Sequence, residues 1–162
     1  MKKIKYLLQF LFIKLFFFIF KIIGYKNASS LGAIIGFILG PLLKSKKIIN
    51  KNIRNYSPNI SETEIDNLTK KMWANYGRIF AEYMYIKNFR LKKLEKYLKI
   101  NGLNILEKIK KENKPVIFIS GHFNNFELMA MQLEIFGINL SAVYRPLNNI
   151  YLNKTMENIR KN

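Results

Sequence analysis

Residues 115–127 read Pro-Val-Ile-Phe-Ile-Ser-Gly-His-Phe-Asn-Asn-Phe-Glu, and the reading of this stretch decides the fold. Pro115 opens an apolar run, Val116 to Ile119, whose β-branched and aromatic side chains suit a strand buried on both faces. Ser120 and Gly121 close the run. From Asn125 to Phe136 the apolar residues Leu128, Met131, Leu133 and Ile135 return at helical spacing. Working outward, Tyr97–Ile100 reads as a short strand closed by Asn101-Gly102, and Leu103–Glu112 reads as a helix. Leu140–Tyr144 reads as a third strand and Tyr151–Arg160 as a further helix. Strand–helix–strand–helix–strand predicts right-handed crossovers. The expectation is an α/β domain over residues 93–162, holding the first half of a mainly parallel sheet flanked by helices.

The remainder of the chain reads as helical. In Tyr6–Ile23 the exceptions to apolarity are Gln9, Lys14 and Lys21. As a helix this run would extend about 27 Å, enough for a hydrocarbon core. Three readings compete. A spanning helix leads, because the apolar Leu15–Phe20 offsets the cost of Lys14, roughly 2.5–3.5 kcal/mol at mid-bilayer. An in-plane anchor follows, because Lys14 and Lys21 share a helix face. A cleaved signal peptide fits worst, because the same lysines interrupt its apolar core. Residues 1–30 are therefore expected to form an N-terminal membrane anchor.

Residues 31–92 are expected to form a helical, membrane-proximal segment. Gly32, Gly36 and Gly40 recur every four residues within Leu31–Leu43 and would permit close backbone approach on one face, but the preferred reading is a plain packing helix lying against the membrane or the core. Pro41 should end or kink that helix. Lys44, Lys46, Lys47, Lys51 and Arg54 follow as a basic stripe, either a solvated face or a contact with lipid headgroups. Ser57-Pro58-Asn59 is a turn, and Ser61 with Glu64 has the form of a capping box. Behind it Ile65, Leu68, Met72, Tyr76, Ile79, Phe80 and Tyr83 mark a long helix, with Trp73 and its tyrosines as packing residues.

Composition narrows the function. The 162 residues hold 28 Lys and Arg against 10 Asp and Glu, a net charge of +18, yet 49% are hydrophobic. The 13 Phe and 9 Tyr exclude disorder for most of the chain. The lack of cysteine excludes disulfides, thiolate nucleophiles and cysteine zinc sites. The single histidine, His122, excludes multi-histidine metal sites, and no metal is expected. Residues 1–60 carry ten Lys and Arg54 but no acid. That half suits an anionic membrane surface better than a nucleic acid, whose partners rarely set their charge around a long apolar run.

One stretch can carry chemistry. His122 and Glu127, five apart, can meet only if His122 lies in the turn and Glu127 in the first helical turn, with Gly121 giving the turn its freedom. The carboxylate would then fix the imidazole tautomer, leaving the other nitrogen to take a proton from an attacking hydroxyl. A plain alternative stands beside this: Asn124 and Glu127 also have the spacing of a helix N-cap and its N3 partner.

The string Gly121-His122-Phe123-Asn124-Asn125-Phe126-Glu127, followed by Val143-Tyr144-Arg145-Pro146 and Asn149, resembles the bacterial lipid A late acyltransferases. These belong with the wider glycerolipid acyltransferases that share a His-x4-Asp/Glu motif. Phe126 stands where that family usually has Trp. The resemblance implies transfer of a fatty acyl chain from acyl carrier protein to a hydroxyl of a lipid A precursor. The reaction would take place at the cytoplasmic side of the bacterial inner membrane. His122 would be the general base and Glu127 its orienter. Arg145, with Asn125 and Tyr144, would contact substrate, the guanidinium on a phosphate or on the developing oxyanion. The thioester donor is already activated, so no cofactor is expected. The implied partners are inner-membrane lipids, acyl carrier protein and the lipid A precursor. Family members are longer, so an incomplete α/β domain is expected. It would be completed by a second chain, or else left as an inactive basic membrane-associated remnant. Lys2, Lys3 and Lys5 precede the anchor while Lys21, Lys26 and the Lys44–Arg54 stripe follow it, a bias toward a cytoplasmic C-terminal part.

Overall fold

A computed structural model describes residues 2–43 and 45–161, with the Lys161 side chain left aside. Lys44, the first member of the basic stripe, lies outside the described residues. The chain divides into two compact units, Met1–Met84 and Tyr85–Asn162.

The first unit is built on three long helices and a shorter one. α1 (Lys2–Ile23) is, among the described residues, a helix long and apolar enough to cross a membrane. One side of it buries Phe17 and Phe20, which meet Phe80 at ring-centroid distances of 5.0 and 6.2 Å. The other side leaves Ile4, Leu8, Leu11, Phe12, Phe18 and Ile22 exposed. Gly24, at φ 80°, reverses the chain into α2 (Tyr25–Leu39). Gly40–Leu42 then tightens into a 3-10 turn at Pro41, as that proline's missing N–H requires.

α3 (Lys46–Tyr56) carries the basic stripe, and α4 (Glu62–Glu82) forms the backbone of the unit. The Ser61 side chain accepts from the Glu64 N–H while the Glu64 carboxylate accepts from the Ser61 N–H, so the capping box is complete. Two hydroxyl and amide donors on one carboxylate hold the Glu64 pKa below its ordinary value. The glycine face of α2 lies on α4. A Cβ at Gly32 would strike the Gly77 carbonyl, one at Gly36 the Trp73 carbonyl, and one at Gly40 the Trp73 ring. Small residues here let two backbones touch, and Ala28 and Ala81 are fully buried beside them. Two members of the basic stripe are answered by α4 and its lead-in: Lys46 by Asp66 at 3.0 Å and Arg54 by Glu62 at 2.6 Å.

The second unit contains α5 (Ile86–Arg90), α6 (Leu103–Glu112), α7 (Glu127–Ile135) and α8 (Ile150–Lys161). Ile86 and Phe89 of α5 are buried with Met131 and Leu133 of α7. α6 ends at Asn113, whose left-handed backbone (φ 49°) replaces the usual glycine. α7 ends the same way at Gly137, φ 87°, whose N–H bonds the Glu134 carbonyl.

The expected parallel sheet is not there. Among the described residues there is no strand, and the architecture is all-α. Tyr97 closes a 3-10 turn, Glu95–Tyr97, before Leu98 extends. The 116–119 run, expected to be buried on both faces, leaves Ile117 87% and Ile119 93% exposed. Val143 of the third expected strand is fully exposed too. The physical reason is that an apolar, β-branched run becomes a strand only when a neighbour completes its hydrogen-bond ladder. None of the three segments pairs with another, and α5 and α7 supply the buried apolar surface of this unit instead.

Candidate active site

The site lies within the second unit, where the 120–126 loop runs into α7. Asn124 makes the reversal at φ 46°, a left-handed backbone that Asn tolerates better than most residues. Gly121 does not need positive φ; a Cβ there would instead meet the Phe123 ring. The helix-cap alternative is not realised either. Phe126 is the N-cap of α7, no side chain caps it, and the Asn124 and Asn125 carbonyls accept from Phe126 and Leu128.

Glu127 is the first residue of α7, where a carboxylate is favoured by the exposed N–H groups of the helix start. Its side chain is only 11% exposed, and Arg160 of α8 takes hold of it. The Arg160 Nε donates to Oε1 and Oε2 at 3.1 and 3.2 Å, and Nη2 donates to Oε1 at 2.5 Å. A fork of this kind fixes both carboxylate oxygens. His122 lies exposed in the loop, its ring 4.3 Å from the Phe126 ring and tilted by 57°. The structure thus places His122 in the loop and Glu127 at the first position of α7 without a hydrogen bond between them: the imidazole lies on Phe126 and the carboxylate is held by Arg160.

The second expected block approaches through the same arginine. The Arg160 guanidinium sits 5.5 Å from the Tyr144 ring centre, a cation–π distance. The Tyr144 hydroxyl donates to Glu157 Oε1, and that acceptor raises the phenol pKa above its ordinary value. Asn153 also donates to Glu157 Oε1, at 2.8 Å, and accepts from the Leu147 N–H at 2.9 Å. Asn149 is buried and caps α8, its Oδ1 accepting from Tyr151 and Leu152. Arg145 is exposed and joins no hydrogen bond or ion pair among the described residues, so its guanidinium is open to an incoming anion.

Sequence reading missed Arg160, Glu157 and Asn153. Asn153, Glu157 and Arg160 stand at i, i+4 and i+7, one polar face of a helix whose start Asn149 marks. That face was legible; its target on α7 was not. A second link ties the helices together: Arg90 of α5 donates to Glu134 at 3.0 Å and to the Arg160 carbonyl at 3.3 Å.

What the arrangement offers is a solvent-facing imidazole in the loop that leads into α7, a fixed and nearly buried carboxylate at the start of that helix, and a free guanidinium on the neighbouring segment. It is the equipment for general-base work on a hydroxyl near an anionic group. Set against known proteins, the chain matches the family model described as bacterial lipid A biosynthesis acyltransferase over residues 1–162. No curated protein and no solved structure matches it.

Proposed function

The chain belongs to the bacterial lipid A biosynthesis acyltransferase family, and on that premise we propose that it transfers a fatty acyl group from acyl carrier protein to a hydroxyl of a lipid A precursor. The observation that carries this reading is the family match, supported by Glu127 as the first residue of α7 and His122 in the loop that leads into it. In the proposed reaction His122 takes the proton of the acceptor hydroxyl as its oxygen attacks the thioester carbonyl. The tetrahedral oxyanion collapses, the C–S bond breaks, and the imidazolium returns the proton to the departing thiolate. The products are an ester and the free carrier thiol. Glu127, held by the Arg160 fork, stabilises the imidazolium once the loop side chain turns toward it. Such dyads often tighten only with substrate bound. Arg145 holds a phosphate of donor or acceptor, while Asn125 and Tyr144 shape the same mouth.

α1 is the proposed membrane anchor, its exposed apolar side toward lipid and the acylating unit on the cytoplasmic side. An acceptor that is itself a membrane lipid makes such an anchor useful.

The test is acyl transfer from acyl carrier protein to a phosphorylated lipid A precursor, using membranes that contain the full chain. His122→Ala and Glu127→Ala should each lower the rate by about 10²–10⁴-fold, the usual worth of a positioned base. Wild-type membranes without turnover would remove the reading for the chain acting alone. Turnover restored only by a second polypeptide would identify this chain as one part of a two-chain enzyme.

A further inference from the structure

The first unit exposes a second apolar surface, distinct from that of α1. On α2 the glycine face is taken by α4. Ile34, Phe37 and Ile38 fall on the opposite side and are exposed. Past the 3-10 turn, Leu42 and Leu43 are 81% and 75% exposed. Large exposed apolar patches on a folded unit mark an interaction surface.

Charge chooses the occupant. No carboxylate occurs before Glu62. Lys21 and Lys26 flank one end of α2, and Lys46 and Lys47 the other. Lys70 reaches over from α4 and places its Nζ 5.8 Å from the Phe37 ring, at the border of the apolar face. The acids of this unit lie on α4, where Asp66 and Glu62 answer Lys46 and Arg54, and Glu82 accepts from Ser29. An apolar face rimmed by cations fits an anionic phospholipid surface, with acyl chains under the leucines and phosphates at the lysines. Length sets the depth. A helix of 15 residues extends about 22 Å, short of the ~30 Å hydrocarbon core.

We propose that α2 lies in the plane of an anionic bilayer, with its Ile34–Phe37–Ile38 face and Leu42–Leu43 tip in one leaflet and its flanking lysines on phospholipid phosphates. The first unit is then held by two elements rather than by α1 alone. This deepens the membrane side of the proposed function but rests on no catalytic residue. Its failure would leave the acyl-transfer assay unaffected, and loss of acyl transfer would leave it standing.

Trp73, the single tryptophan, has its ring against Gly40 and so reports the depth of the α2 tip. The full chain is mixed with phosphatidylcholine vesicles, with and without phosphatidylglycerol, carrying bromine-labelled acyl chains. Trp73 emission should be quenched, and several-fold more strongly when phosphatidylglycerol is present. Leu42→Gln with Leu43→Gln should cut the quenching several-fold while α1 keeps the protein on the vesicles and the circular dichroism stays that of the wild type. Lys21→Gln with Lys47→Gln should abolish the preference for phosphatidylglycerol. Equal quenching in the leucine variant and the wild type would overturn the proposal, as would indifference to anionic lipid. A concentration-dependent shift of Trp73 emission without vesicles would assign the face to a second copy of the chain and overturn it too.

Discussion

Arg160 ties together the residues that matter most in the second unit. Its fork closes on the Glu127 carboxylate, its plane covers Tyr144, and its carbonyl accepts from Arg90. With Glu127 only 11% exposed, removal of the guanidinium leaves a poorly hydrated carboxylate without its main counter-charge. Arg160→Ala should therefore destabilise the chain by about 1–3 kcal/mol, read as a lower urea midpoint, with Arg160→Lys recovering only part because Lys lacks the fork. At the same scale, Glu64 sets an acid limit on the first unit. Its pKa is lowered in the fold by the Ser61 hydroxyl and amide. The stability it contributes is present above the ordinary carboxylate range and is lost as pH falls through the lowered value. Glu64→Gln should flatten that part of the melting-temperature profile, whereas wild type should lose stability on acidification; a parallel profile for the two would count against the capping box.

At the scale of elements, the α2–α4 contact is the tightest joint. Gly77 faces the Gly32 carbonyl with no room for a methyl group. In an isolated helix Gly→Ala gains up to ~1 kcal/mol. Here the backbones would have to separate, at a cost of roughly 1–3 kcal/mol for overpacking. Gly77→Ala should accordingly lower the melting temperature instead of raising it, in opposition to propensity. The small face of α2 was readable in advance from the four-residue spacing of Gly32, Gly36 and Gly40, because a helix puts such residues on one face wherever it sits, but its partner α4 was not. α4 began at Ser61 as its capping box required, and α6 occupies Leu103–Glu112 as its spacing predicted. The cap and the helical spacing act within one or two turns of chain, so the sequence holds their partners.

At the scale of the whole molecule, charge dominates. A net charge of +18 should draw in an acidic donor protein and a phosphorylated acceptor, an attraction screened within about 8–10 Å at physiological salt. Raising salt from low to physiological strength should increase the apparent KM for acyl carrier protein several-fold with little change in kcat. A salt-independent KM would show that docking is apolar.

The sequence alone determined the family, through His122, Glu127 and the Tyr144-Arg145-Pro146 block, and it determined the capping box of α4 and which face of α2 is small. It also placed Glu127 in the first turn of α7, since helix starts are written locally. Only the tertiary structure decided that Val116–Ile119 and Leu140–Tyr144 stay unpaired, that α5 and α7 supply the buried apolar surface of the second unit, and that Arg160 grips a carboxylate 33 residues away. A ladder and an ion pair each join segments distant in the chain. Whether they form depends on which other segments arrive beside them, and no local pattern records that.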